Sequence, residues 1–171
     1  MKLIFSCLLL LSWPVIVQAQ DQLTELDKRN GFKDIKMGMP VDSVPGIKLK
    51  KAFTEKGNYP AALYEVSHPN YQWIGEVKVL NLELKAYKGK VYEIRVRTEK
   101  DPRLMKALES TLGSPVFDVR NERYIWRGQN LSLAFKAVGK NELELLYVSH
   151  VMHAEMKADK KKKIDEIADD F

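Results

Sequence analysis

Two ribbons of alternating side chains constrain this chain more than any other feature. Leu80, Leu82, Leu84 and Ala86 alternate with Asn81, Glu83, Lys85 and Tyr87, and Tyr92, Ile94 and Val96 alternate with Glu93, Arg95 and Arg97. Side chains along a strand point to opposite faces in turn, so a period of two reads as a pair of half-buried strands. Lys88-Gly89-Lys90 lies between them. A three-residue loop there sets Tyr87 opposite Val91, Leu84 opposite Ile94, Leu82 opposite Val96, Lys85 opposite Glu93 and Glu83 opposite Arg95. A two-residue loop would put Leu84 against Glu93 and mix the faces, so the longer loop is expected.

The rest of the chain is read against that hairpin. Ala61 to Ser67, Tyr124 to Arg127, Leu131 to Lys136 and Glu142 to Ser149 are expected as strands, and Phe32 and Ile35 as the start of a short one. Around Val138-Gly139-Lys140 a second hairpin would set Phe135 opposite Leu143, Leu133 opposite Leu145 and Lys136 opposite Glu142. Asp101 as N-cap, Pro102 at the first helical position, a Leu104, Met105, Leu108, Leu112 stripe and the Gly113 to Pro115 stop define one helix. A single helical turn follows Gly38-Met39-Pro40 and ends by Pro45-Gly46. Lys48 to Asn58 has no clear period and reads as loop. The expected class is α+β: an antiparallel sheet of about six to seven strands with helices on one face and a C-terminal helix. Gly89 and Gly139 stand 50 residues apart, and Asn81-Leu82-Glu83-Leu84 is echoed by Asn130-Leu131-Ser132-Leu133. The echo admits a duplicated helix-plus-meander unit as well as chance similarity.

The N-terminus reads as an address. Lys2 precedes an apolar stretch from Leu3 to Val17, and Val17-Gln18-Ala19 carries small residues where a signal peptidase reads. Cleavage is expected after Ala19, giving a periplasmic or secreted protein with no transmembrane segment left. Cys7 sits inside the apolar run rather than at its end, against a lipoprotein. Removal of residues 1–19 takes one lysine and no acid, so 27 cations face 23 acids for a net +4, and no cysteine remains. That excess is too mild for the dense basic stripe that nucleic acid requires, so no nucleic-acid partner is expected. Residues 20–31 read as a flexible lead-in, 32–149 as one α+β domain and 150–171 as a charged helix. Its first two turns would dock, and the rest would be exposed or frayed.

Ile35 followed by Gly38-Met39 and Val44, then Leu112-Gly113-Ser114-Pro115 ahead of strands holding Tyr124 and Trp126, resembles the grammar of small bacterial envelope α+β proteins. Two such families are the small lipoprotein of the outer-membrane β-barrel assembly machine and the secreted β-lactamase inhibitor proteins built from tandem helix-plus-meander units. The resemblance covers about residues 32 to 149 and implies a binder rather than an enzyme. The chain departs from the first in lacking a lipid-bearing cysteine at the cleavage site, and from the second in lacking mature cysteines. Its tail, from Tyr147 to Phe171, is similar to the ends of uncharacterised exported proteins.

No catalytic motif is legible. Ser114 lies in a helix-ending turn rather than a nucleophile elbow, and His150 and His153, about one helical turn apart, make only half a metal site. No catalytic residue, metal or cofactor is therefore expected. The expected function is an exported, non-catalytic binding or assembly module of the bacterial envelope. The alternatives are a secreted inhibitor of a hydrolase and a small hydrolase with dispersed residues. A protein partner would meet a basic-aromatic face of Trp73, Arg97, Arg123, Trp126 and Arg127, because arginines and aromatics dominate binding hot spots. Of the sheet's cations, Arg97, Arg123 and Arg127 are the ones without an expected acidic partner. The second expected docking point is the end of the last helix, with Ile164, Ile167 and Phe171.

Overall fold

A computed structural model describes residues 24–55, 59–169 and 171. The proposed signal peptide and cleavage site lie outside the described residues.

Thr24 caps α1 (Glu25–Arg29), accepting a hydrogen bond from the Asp27 N–H. Leu26 and Asp27 are buried, so the lead-in expected over 20–31 is packed from Glu25 onward. The two-residue strands β1 (Gly31–Phe32) and β2 (Ile35–Lys36) pair, and a 3-10 turn over Val41–Ser43 follows, as the Pro40 and Pro45 signals require. Then come β3 (Ile47–Glu55), β4 (Tyr59–Val66), β5 (Trp73–Ile74), β6 (Val77–Tyr87) and β7 (Lys90–Glu99). Helix α2 (Pro102–Leu112) leads to β8 (Val116–Asp118), β9 (Arg123–Arg127), β10 (Leu131–Val138), β11 (Glu142–Ser149) and α3 (His150–Ala168). Asp101 caps α2 through the Arg103 N–H, and Gly113 closes it at φ +82°, a left-handed value open to glycine.

The sheet is antiparallel and open, in the order β3-β4-β6-β7-β11-β10-β9-β8, with β5 paired on the start of β6. It has nine strands rather than six or seven. β3, β5 and β8 are the strands that sequence missed. Lys48, Lys50 and Lys51 lie on β3, which is an edge strand with mostly exposed side chains on both faces. Without a buried face there is no alternation to read, and edge lysines deter further pairing.

Inward side chains line up in rows across the sheet. One runs Tyr64, Leu84, Ile94, Tyr147, Leu133, Trp126 and another Leu82, Val96, Leu145, Phe135. Each fully buried aliphatic side chain contributes about 1.5–3 kcal/mol. α1, the β1–β2 hairpin and α2 cover this inner face through Leu26, Phe32 and Leu104. α3 lies on the other face, where Met152 and Met156 pack with Ala61, Tyr87 and Tyr92. α1 and α2 therefore share one face, and the C-terminal helix takes the other.

The first hairpin turns on two residues, Lys88 and Gly89, both with positive φ, and Tyr87 pairs with Lys90 rather than Val91. A bulge at Tyr92 restores the expected pairs Leu84–Ile94, Leu82–Val96, Lys85–Glu93 and Glu83–Arg95. The bulge turns Tyr92 to the outer face with α3, away from Ile94 and Val96. A second bulge leaves Leu80, expected inward, 44% exposed. The other hairpin turns on Gly139-Lys140-Asn141, so Phe135 pairs with Leu145, Leu133 with Tyr147 and Lys136 with Glu144. This is two residues from the expected register. A shift of two keeps every side chain on its face, so alternation alone could not detect it.

Candidate functional site on the outer face of the sheet

Because α3 covers only the end of the outer face near the β6–β7 turn, the middle of that face carries a lattice of ion pairs. Glu144, buried on β11, stands at its centre: Arg97 Nε is 3.3 Å from Oε2, Arg95 Nε 3.7 Å from the same oxygen, and Lys136 Nζ 3.6 Å from Oε1. Arg95 also meets Glu93 at 3.1 Å, and Lys85 bridges Glu93 and Glu55. Lys50 on β3 reaches Glu83 at 2.8 Å, and this hydrogen bond and charge raise the Lys50 ammonium above its usual range. Arg95 Nε lies within ion-pair reach of Glu144 but makes no hydrogen bond, an electrostatic contact only.

The expected face is divided by this arrangement. Arg97 lies in the lattice with Glu144 as partner, and Arg123 on β9 is paired with Asp118 at 3.0 Å. Neither is the unpartnered cation that sequence suggested. Arg127 is exposed and has no ion pair among the described residues. Trp126 does not belong to the surface: it is 4% exposed on the inner face and its Nε1 donates to the Gly113 carbonyl at 2.7 Å, tying β9 to the end of α2. Three strand spacings separate β9 from β7, roughly 14 Å, so Arg123 and Arg127 stand apart from Arg97. At the helix end, Ile164, Ile167 and Phe171 are all exposed. Ile164 and Ile167 border a hollow of about 200 Å³ with Tyr59 and Tyr87.

Trp73 marks the feature that the lattice borders. It is half exposed at the rim of a cleft of about 340 Å³, lined also by Glu65, His68, Tyr71, Lys78 and Asn81. Asn81 pairs in register with Arg97, which brings the edge of the lattice to the cleft. Asn81 Oδ1 is enclosed and accepts no hydrogen bond among the described residues. The loop carrying Trp73 is held firmly: Lys33 Nζ donates to the Asn70 and Trp73 carbonyls, and Tyr71, buried, donates to Asp34 at 3.1 Å. Burial first, then the Asp34 acceptor, pushes the Tyr71 phenol up to about 12. His68 Nδ1 accepts from the Asn70 N–H and its ring lies 5.9 Å from Tyr71. Glu65, His68, Tyr71 and Asn81 were not legible as a group, because pairing of β4 with β6 and the inserted β5 bring them together and no local spacing records that.

Among the described residues, no group of three or more His, Cys, Asp or Glu is placed to hold a metal ion. His153 packs edge-on to Tyr92 at 5.7 Å, and His150 Nδ1 lies 3.3 Å from the Gln129 carbonyl. No described helix is long and apolar enough to cross a membrane. No family model, no curated protein and no solved structure matches the chain.

Proposed function

We propose that the chain is an exported, non-catalytic binding or assembly module of the bacterial envelope, cleaved after Ala19, with the Trp73 cleft as its recognition site. The observation that carries this reading is a half-exposed indole at the rim of a cleft lined also by Glu65, His68 and Lys78. An exposed amphipathic aromatic beside polar and charged groups suits recognition of a partner. The neighbouring charges support the same role. They are fixed in pairs and give the rim a rigid pattern rather than a group poised to exchange a proton.

Strand order supports a further reading, that the domain is a duplicated helix-plus-meander unit. The meander β3-β4-β6-β7 and the meander β8-β9-β10-β11 each end at the centre of the sheet, where β7 pairs with β11. α1 and α2, each ahead of one meander, lie on the same face.

Affinity capture from a bacterial envelope extract tests the site. Wild type and Arg127→Ala should retain the same partner and Trp73→Ala should lose it; retention by Trp73→Ala would place recognition elsewhere. Mass spectrometry of the exported product should give Gln20 as the first residue.

A further inference from the structure

A second cavity lies on the inner face, sharing no lining residue with the Trp73 cleft. It has a volume of about 320 Å³ and opens between the β1–β2 hairpin and α2. Its floor is Leu145 and Tyr147 of β11, and its walls are Leu26, Phe32, Leu104 and Leu108. α2 leaves the gap because only Leu104 of its stripe is buried; Leu108 and Leu112 are half covered and Ala107 is exposed. Ligand pockets run from ~300 to ~1,000 Å³, so this one has room for a single short chain rather than a multi-chain lipid.

Two independent features give its occupant a charge. Arg29, Lys33 and Lys36 line the cavity, and no acidic side chain does. Lys33 and Lys36 are each tied to two backbone carbonyls, which fixes their positions without neutralising them. Arg29 shares Glu25 with Lys28. The second feature is Tyr147, 7% exposed, whose hydroxyl makes no hydrogen bond among the described residues. Its oxygen is not enclosed, so it can donate to an occupant of the cavity. Burial raises this phenol far above its usual range, and Arg29 is the one charge that acts on it in the other direction. A phenol hydroxyl and a guanidinium thus both line a largely apolar slot.

We infer that this cavity binds a free single-chain carboxylate, with its alkyl chain lodged between α2 and the hairpin and its head group taken by Arg29 and the Tyr147 hydroxyl. A carboxylate accepts from both donors, and the apolar chain covers leucines that α2 leaves half exposed.

Isothermal titration of the full mature chain with decanoate tests the inference. Saturable one-to-one binding is expected, with decyltrimethylammonium and butyrate at least tenfold weaker, since the first reverses the charge and the second lacks the chain. Tyr147→Phe removes only a hydroxyl without a partner, so its Tm should match wild type while decanoate binding falls about tenfold, the scale of one hydrogen bond to a charged group. Arg29→Ala should do the same. Ala107→Trp, at an exposed helix position lining the cavity, should fill it and abolish binding. Absence of saturable decanoate binding, equal binding of the decyl cation, or unchanged binding in Ala107→Trp overturns the inference.

Discussion

Leu133 and Lys136 are three residues apart on β10 and face opposite ways. Leu133 meets Tyr147 and Trp126 in an apolar row on the inner face, whereas Lys136 meets Glu144 in the ion-pair lattice on the outer face. The first contact is non-directional and scales with area removed from water. The second depends on geometry and on solvent, and three cations share one buried carboxylate. Stability therefore resides mainly on one side of the sheet, and a fixed pattern of charge is displayed on the other. The two faces should respond differently to truncation, to pH and to salt.

The largest effect is expected on the inner face. Leu133→Ala leaves a cavity beneath two aromatic neighbours and should destabilise by about 2–5 kcal/mol. Chemical denaturation should show this as a lower midpoint at unchanged slope, and a loss under about 1 kcal/mol would mean that the row can collapse. Next comes the tie that closes the inner face at its rim. Asp27 accepts hydrogen bonds from the Gln129 and Asn130 backbone N–H groups, both at 2.8 Å, and from Thr24 Oγ1 at 2.7 Å. A Cβ at Gly128 would meet the Asp27 carboxylate at 2.4 Å, so any side chain there would push the carboxylate off its donors. Asp27→Ala strands two donors and should cost about 1–3 kcal/mol. Burial raises the Asp27 carboxyl, but the donors outweigh it and hold the group below the usual carboxylate range. A depressed acid stabilises above its unfolded pKa, and that contribution fades as pH falls through the folded value. Thermal melts between neutral pH and about pH 3 should show a shallower acid limb in Asp27→Asn than in wild type.

The same two faces explain what sequence could and could not disclose. In the β6–β7 hairpin, charged neighbours fixed the register, because Lys85 with Glu93 and Glu83 with Arg95 agree in one alignment. That alignment survives although the loop is one residue shorter and a bulge at Tyr92 makes up the difference. In the β10–β11 hairpin only Lys136 argued from charge, and Glu142 and Glu144 satisfy it equally well, so the pairing slipped by two. Helix α2 was legible because Asp101, Pro102 and Gly113 each impose local backbone geometry. The Trp73 cleft was legible only through its exposed indole. Trp126 looks identical in sequence and is buried, because an indole's side of the sheet depends on the pairing of β9 with β10 rather than on its neighbours in the chain.

On the outer face, Glu144→Gln removes the charge that three cations share and should destabilise by about 1–2 kcal/mol. That is less than for a fully enclosed pair, since the cations keep contact with water. The loss should shrink in high salt, unlike that of Leu133→Ala, which gives the sharpest contrast between the faces.

The smallest effect belongs to Lys136→Met. Its side chain is 43% exposed and Glu144 keeps Arg97 and Arg95 when it is gone, so the stability change should stay within about 0.5 kcal/mol. The stem of a lysine already lies along the sheet, and methionine reproduces that packing. Combining Lys136→Met with Glu144→Gln should then cost no more than Glu144→Gln alone, a coupling visible in a double-mutant cycle. If Lys136→Met by itself costs more than 1 kcal/mol, the lattice contributes to folding as a cooperative unit, and the division of labour between the two faces fails.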